Sequence, residues 1–387
     1  MTVVDQWLVD HQAELVDIRR ALHGHPELGR QEHRTTALLG DRLRAAGLAP
    51  RVLACGTGLV CDVGSGPSFV VLRADLDALP LQDEKDVPYR SQVPGVCHAC
   101  GHDVHAAVVL GAGLALARQE LPGRVRLVFQ PAEEQMPGGA LDVIDEGLVD
   151  GAVAVFALHC DPSLEVGRVG LRAGALTAAA DRVEVRLGGP GGHTSRPHST
   201  VDLVHALAAV ATGLPAALSR LVDPRAGLSV VWGHIEAGTA ANAIPREGVL
   251  LGTVRVLDRN AWAGAGDLVE GLVRSLAAPF GAQVEVSYER GVPPVVNDPW
   301  ATALLTSAVR TALGPGAAVS TQQSLGGEDF AWYLERVPGA LARLGVRPVG
   351  SDAAMDLHQP SFDVDEAAIG VGVRILEAAA RAALEAS

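Results

Sequence analysis

The chain is built around the stretch PGVCHACGHDVH at residues 94–105. This stretch is dense in side chains that can bind a metal ion: Cys97, His98, Cys100, His102, Asp103 and His105. Thiols and imidazoles at this density, directly ahead of an apolar segment, suit a borderline transition metal better than a packed core. Together with QPAEE at residues 130–134, the stretch predicts the site of a two-metal hydrolase.

Composition limits what such a site can belong to. The chain has 387 residues, a length that corresponds to roughly two to three domains. With 48% hydrophobic and 20% charged residues, it has the composition of a globular protein. Lys and Arg total 31 against 45 Asp and Glu, a formal charge of -14. This acidic balance argues against a nucleic-acid partner and slightly disfavours anionic membranes.

The sequence offers no sign of export. The opening MTVVDQWLVD lacks the basic start and apolar core of a signal peptide. The longest uncharged run, residues 203–219, is interrupted by His205, Thr212 and Pro215, so no membrane span is expected. Five cysteines, an odd number, fit a reducing compartment with free or metal-bound thiols. We therefore expect a cytoplasmic protein.

Hydrophobic periodicity predicts alternating helices and strands. The predicted helices span residues 4–22, 33–47, 103–120, 138–147, 299–313 and 366–385. The predicted strands of the same part span residues 52–54, 59–63, 69–72, 125–129, 152–158 and 340–346. This alternation indicates an α/β fold with a mostly parallel sheet and helices on both faces.

Side chains that can bind a metal ion follow three of these strands. Asp75 and Asp77, Glu133 and Glu134, and His159 each come directly after a predicted strand. Because ligand sites in open α/β sheets form outside the carboxyl ends of the strands, we expect these groups to converge at one edge.

The predicted order of strands and helices changes between residues 181 and 293. There the pattern predicts the order β-α-β-β-α-β, the ferredoxin-like split βαβ sandwich. We therefore expect a discontinuous catalytic domain, residues 1–180 and 294–387, with an inserted lid or dimerisation domain at residues 181–293.

The residues themselves leave alternatives open. Cys97 and Cys100 form a Cys-x-x-Cys pair that could be redox-active, half of a zinc finger, or simply buried. Glu133 and Glu134 are adjacent, so one carboxylate can bind metal while the other acts as a general base, although such a pair is often just solvated surface.

The remaining polar candidates are equally open. His159 and His358 could be core or loop histidines, and His193 and Asn242 lie in glycine- and alanine-rich loops.

Nine motifs in order resemble one family. They are LHGHPELG, RADLDALP, VCHACGHDVHAA, VFQPAEE, ALH, GGHTSRPH, GTAANAIP, GGEDF and LHQPSF. The chain resembles the metal-dependent aminoacylase and carboxypeptidase clan, and especially its amidohydrolase branch of hippurate hydrolases, N-acyl-amino-acid amidohydrolases and auxin-conjugate hydrolases. The match covers nearly the whole chain.

The resemblance implies a role for each matching residue. The implied metal ligands are Cys100, His102, Glu134, His159 and His358. Glu133 would be the general base and Asp77 an outer-shell carboxylate. His193 and Asn242 would meet the substrate's carbonyl or carboxylate, with His193 able to reach the site of a partner subunit, and Glu328 would support the site.

The resemblance also implies the reaction. Two divalent ions, Mn, Zn, Co or Ni, would assist hydrolysis of an N-acyl amino acid or similar small amide to an acid and a free amino acid. The expected assembly is a homodimer or higher homo-oligomer formed through the inserted domain. An exopeptidase or dipeptidase, a carbamoyl-amino-acid hydrolase and a non-catalytic metal-binding protein are the alternatives. Cys97 departs from the family pattern, where Met is commoner, and so does Gln135-Met136-Pro137, where glycines are usual.

Overall fold

The computed structural model describes residues 2–351 and 356–386. Its α-helices are α1 Val3–Gly24, α2 His33–Ala45, α3 His102–Leu116, α4 Ala140–Asp145, α5 Leu203–Leu221, α6 Arg259–Ala277, α7 Pro299–Leu313, α8 Ala331–Leu334 and α9 Ala367–Glu385. Its strands are β1 Arg51–Val52, β2 Leu59–Gly64, β3 Phe69–Asp75, β4 Arg124–Gln130, β5 Ala154–Glu165, β6 Val169–Leu171, β7 Gly174–Ala175, β8 Ala179–Gly188, β9 Gly192–His193, β10 Ser229–Ala237, β11 Ala243–Ile244, β12 Glu247–Val256, β13 Gln283–Val292, β14 Val296–Asn297, β15 Ala318–Ser320 and β16 Gly339–Arg347.

The chain divides into two compact units. Unit 1 comprises Met1–Gly174, Val296–Gln322 and Asp329–Ser387, and unit 2 comprises Ala175–Val295 and Gln323–Glu328.

Unit 1 contains an eight-stranded sheet in the order β1-β2-β4-β3-β5-β16-β6-β15. Its four central strands, β4, β3, β5 and β16, are mutually parallel, whereas β1, β2 and β6 join by antiparallel pairing. The sequence prediction of a mostly parallel α/β sheet is therefore confirmed. The central strands bury both faces, which explains why they appear in the sequence as continuous apolar runs rather than alternating ones.

A buried helix, α3, begins within the ligand-rich stretch of residues 94–105. Every residue of α3 is buried, and the helix packs against α1, α9 and the sheet. The helix ends at Leu116, where the chain becomes exposed, and so it is shorter than the predicted helix of residues 103–120. The first turn of α3 carries His102 and Asp103, so the ligand-rich stretch is fixed to the core of unit 1.

The structure corrects the position of two site residues. Asp75 is the last residue of β3 rather than lying beyond it, and His159 lies inside β5 rather than after its end. The reason is that β5 continues its parallel pairing with β16 past His159, through Cys160 and Asp161. His159 therefore projects from a paired strand.

Unit 2 contains a four-stranded antiparallel sheet in the order β10-β12-β8-β13, with α5 and α6 packed on it. The element order β8-α5-β10-β12-α6-β13 is that of a split βαβ sandwich. Pro215 lies inside α5 without ending it. In the described part of the chain, α5 is the one helix that is long and apolar enough to cross a membrane. Core helices of globular proteins can be equally long and apolar, and α5 packs against α6 and the sheet of unit 2.

Candidate metal centre and active site

Asp77 holds the two glutamates in place. Its carboxylate accepts the backbone N–H of Glu133 at 3.0 Å and that of Glu134 at 2.9 Å. Asp77 is buried directly beyond β3, and the glutamates follow the neighbouring parallel strand β4. Convergence of strand ends therefore places these three carboxylates together. Ala132, immediately before the pair, has a φ of 53°, so the backbone turns sharply as it enters the site.

Gly101 turns the chain between two candidate ligands. It precedes α3 with a φ of 86°, and a Cβ at this position would lie 2.7 Å from the Cys160 sulfur. A side chain is excluded by the backbone conformation and by the neighbour. Glycine thus lets Cys100 and His102 approach the same point from either side of the turn.

The potential ligand atoms of the predicted metal residues lie close together. Three overlapping groups, each with atoms within 4.8 Å of one another, are Cys100–His102–His159, Cys100–Glu134–His358 and His102–Glu133–Glu134. Within them the Cys100 sulfur lies 3.5 Å from His159 Nε2, and His358 Nε2 lies 3.2 Å from Glu134 Oε1. Residues spread over more than 250 positions of the sequence therefore meet at one point in unit 1.

The hydrogen bonding of two histidines fits a metal centre. Within the described residues, neither ring nitrogen of buried His102 makes a hydrogen bond of normal geometry, and the nearest carboxylate oxygen, Asp77 Oδ1, lies 3.4 Å from Nδ1. Buried polar atoms without partners are costly, and metal coordination would satisfy them. His159 donates from Nδ1 to the Cys160 carbonyl oxygen at 2.8 Å, so its Nε2 lone pair faces the Cys100 sulfur. Orientation of a ligating imidazole by an outer hydrogen bond is usual at metal sites.

The electrostatics of the cluster also fit a cation. Burial lowers the pKa of His159, which keeps its imidazole in the neutral, ligating form. Burial opposes protonation of His102 as well, yet the Asp75 carboxylate and the Cys100 sulfur raise the pKa of His102 well above its usual value. Negative charge is therefore in excess around His102. A set of thiol, imidazole and carboxylate donors fits divalent transition metals.

Two residues of the ligand-rich stretch have other roles. His105 donates from Nδ1 to Asp75 at 2.6 Å and accepts the backbone N–H of Cys160 at Nε2 at 2.9 Å, so both ring nitrogens are occupied. Asp103 accepts from Arg19 and from His23, both at 2.7 Å. His105 therefore supports the strand that carries His159, and Asp103 ties α3 to α1.

Cys97 lies in a different cluster from Cys100. Its sulfur lies 3.6 Å from Lys85 Nζ, which also contacts Asp83 Oδ1 at 2.9 Å. Cys97 groups with His23 and Asp83 rather than with the predicted ligands, and all five cysteines are free. This arrangement gives no support to a redox-active or zinc-finger role for the Cys-x-x-Cys pair.

A buried ionic network beneath the site was missed in the sequence. Arg73 donates to Asp75 at 2.6 Å, to Asp329 at 2.6 Å and to the Gln130 side chain at 2.9 Å. Asp329 also accepts from Gln130 and from the backbone of Ala140. The arginine inside the apolar strand sequence FVVLRAD was the available signal, since a buried guanidinium requires carboxylate partners.

Replacing Arg73 by Met leaves two fully buried carboxylates without their cation. We expect this change to lower the free energy of unfolding by about 3–5 kcal/mol, the usual effect of removing one partner from a buried ion pair. Urea denaturation followed by circular dichroism measures the change. As a matched control, Arg44→Met removes an exposed pair with Asp41, for which we expect about 0–1 kcal/mol; equal effects at both positions would contradict this account.

The predicted substrate residues lie in unit 2. Ala243 pairs with His193 between β11 and β9, and the Thr194 N–H bonds to the Asn242 carbonyl oxygen, so His193 and Asn242 are neighbours and exposed. The His193 ring is held by Ser195, whose hydroxyl lies 2.8 Å from Nδ1. Glu328 is buried in unit 2, one residue before the Asp329 of the unit 1 network.

Fold and donor cluster together are those of a metal-dependent hydrolase. Residues 71–382 match the model of peptidase family M20/M25/M40, and the chain belongs to this family. The expected resemblance is thus confirmed. The chain is a metal-dependent hydrolase, and the donor set described above fits the two divalent metals that the family suggests.

The chain is similar to proteins of known name. It is 50% identical to a Rhodococcus jostii (strain RHA1) protein that carries the name of a glutamate–cysteine ligase. This match covers 96% of the present chain but 47% of the relative, so the chain spans about half the length of that relative. It is 38% identical to the N-acetyl-L-cysteine deacetylase of Bacillus subtilis (strain 168), over 92% of this chain and 85% of the relative.

A solved structure shows the same fold. A crystal structure of a Bacillus subtilis dinuclear metal binding peptidase of the M20 family superposes with a TM-score of 0.86 at 32% identity, covering 98% of this chain and 99% of that one.

Proposed function

We propose that this protein cleaves the amide bond of N-acyl amino acids, or of similar small amide conjugates, to a carboxylic acid and a free amino acid. The observation that carries the proposal is the position of Glu133, buried beside the donor cluster with a carboxylate oxygen 4.0 Å from His102 Nε2. A carboxylate at this position can take and deliver protons during hydrolysis. Similarity to an N-acetyl-L-cysteine deacetylase supports the choice of substrate class.

The ligand residues would be Cys100, His102, Glu134, His159 and His358. Two divalent ions bound there would lower the pKa of a water molecule and polarise the amide carbonyl. Glu133 takes the proton of the attacking water and delivers it to the leaving amine. Asp77 keeps the Glu133 backbone in place through its hydrogen bond to the N–H.

Residues of the inserted domain complete the proposal. His193 and Asn242 stabilise the developing oxyanion or bind the substrate carboxylate, and Glu328 supports the site. Residues 181–293 act as a lid or dimerisation domain in a cytoplasmic homodimer or higher homo-oligomer, where His193 serves its own or a partner's site.

A substrate panel tests the proposal. Purified protein is freed of metal with a chelator, reloaded with Mn, Zn, Co or Ni, and assayed with N-acetyl and N-benzoyl amino acids, dipeptides and N-carbamoyl amino acids. We expect the metal-free protein to be inactive and at least one reloaded form to cleave the acyl amino acids fastest. Faster cleavage of dipeptides or of carbamoyl compounds would replace the proposal with an exopeptidase or a carbamoyl hydrolase. Inactivity of every reloaded form on the whole panel would overturn the proposed substrate class.

A further inference from the structure

Two buried carboxylates bind three consecutive backbone N–H groups at the glutamate pair. Glu32 accepts the N–H of Ala132 at 2.8 Å. Asp77 accepts those of the next two residues, Glu133 and Glu134, at 3.0 Å and 2.9 Å. Glu32, Ala132 and Asp77 are each at most 1% exposed. The backbone that carries the glutamates is therefore held by carboxylates from two separate parts of the chain.

The residue that Glu32 binds has an unusual backbone conformation. Ala132 has a φ of 53°, in the left-handed region, which a residue with a side chain occupies at a cost in free energy. Because Ala132 immediately precedes Glu133, a change in its backbone angles would move the Glu133 side chain away from the donor cluster. The hydrogen bond to Glu32 opposes that change, since a buried N–H that loses its acceptor is costly. Glu32 therefore stabilises the turn that leads into the site.

Glu32 binds this turn instead of capping its own helix. It is the residue directly before α2, the position from which a side-chain oxygen usually accepts a backbone N–H of the first helical turn. Its side chain makes no such bond. Glu27 takes that role, because its carboxylate accepts the N–H groups of Arg34 and Thr35 at 3.0 Å and 2.8 Å. The Glu32 side chain thus serves the glutamate loop rather than α2.

A carboxyl group at this position is unfavourable except for the bond that it makes. Burial raises the pKa of Glu32, backbone N–H groups that include the one of Ala132 lower it, and the charge of nearby Asp77 raises it. An apolar side chain would fill the same buried position without this cost. Both protonation states of a carboxyl group keep an oxygen that can accept the Ala132 N–H. The bond therefore depends on the reach of the side chain rather than on its charge.

We infer that Glu32 is a positioning residue for the general base: it fixes the turn at Ala132 and thereby the place of the Glu133 carboxylate. The inference rests on the proposed function, in which Glu133 moves the protons of the reaction, and it adds a residue that acts through Glu133. Proton transfer depends on the geometry of the base. A displacement of about 1 Å can lower a catalysed rate by about 10²-fold.

The experiment separates reach from charge. Glu32→Gln keeps the length and an accepting oxygen but loses the charge, whereas Glu32→Asp keeps the charge and is shorter by one methylene. With metal in excess and N-acetylmethionine as substrate, we expect Glu32→Gln to turn over close to the wild-type rate. Glu32→Asp should lose about 10- to 100-fold in kcat with little change in KM. Hydrogen exchange of residues 130–140, followed by mass spectrometry, should be faster than wild type in Glu32→Asp and unchanged in Glu32→Gln.

Glu27→Asp is the matched control, because it shortens the carboxylate that caps α2. It should lower the temperature of thermal unfolding and leave kcat and the exchange of residues 130–140 as in wild type. Wild-type kcat in Glu32→Asp, or an equal loss of kcat in Glu32→Gln or in Glu27→Asp, would overturn the inference. Wild-type protein that cleaves no N-acyl amino acid would overturn the proposed function, whereas unchanged exchange of residues 130–140 in Glu32→Asp would overturn this inference alone.

Discussion

Replacing Glu133 by Gln is expected to lower kcat by about 10²- to 10⁴-fold, the range that a general acid–base residue contributes. The amide side chain keeps the size of the carboxylate but cannot accept the proton of the attacking water. Because Glu133 is not among the five proposed ligands, metal content should stay at the wild-type value. Steady-state kinetics on an N-acetyl amino acid and elemental analysis of the same preparation measure both quantities.

The neighbouring glutamate is the matched control for this variant. Glu134→Gln alters a residue grouped with Cys100 and His358, so we expect it to lose metal together with activity. A Glu133→Gln enzyme that turns over at the wild-type rate would remove Glu133 as the base. Loss of metal from Glu133→Gln but not from Glu134→Gln would reverse the two roles.

Replacing Cys100 by Ala is expected to weaken metal binding by more than the roughly 10- to 100-fold that the loss of an outer-shell partner causes. The sulfur belongs to two of the three donor groups, so its removal takes one donor atom from each of these two groups. Titration of the metal-free protein with Zn or Mn, followed by calorimetry, measures the change.

Cys97→Ala is the control for this second prediction. Its sulfur contacts Lys85 and groups with His23 and Asp83, so the variant should bind metal as wild type does. Equal losses of affinity in the two variants would support a shared Cys-x-x-Cys site and contradict the separation seen in the structure.

Much of the fold and of the donor cluster could be predicted from the sequence. The alternation of apolar runs and helical segments indicated a parallel sheet, because strands that are buried on both faces carry no polar alternation. Metal-type residues directly after such strands indicated convergence, and Asp77 and Glu133 do meet as expected. The resemblance of nine motifs then supplied His358, whose loop position carries no structural signal of its own.

The remaining features depend on pairings that a single sequence does not contain. Arg73 meets Asp329 across 256 positions of the chain. His159 lies in the register of β5 with β16 only because β5 extends past the end that its apolar run indicated. Local density of potential ligands was also insufficient to separate His102 from His105. Hydrogen bonds to Asp75 and to the Cys160 backbone make that distinction, and they exist only in the folded chain.

The most direct measurement is the anomalous scattering of crystals grown with Mn or Zn, recorded at the absorption edge of the metal. The account predicts two peaks within coordination distance of Cys100, His102, Glu134, His159 and His358, with Glu133 outside the coordination shell of both ions. Peaks at His23, Asp83 and Cys97 instead, or no peak at the five residues in protein that is catalytically active, would contradict it.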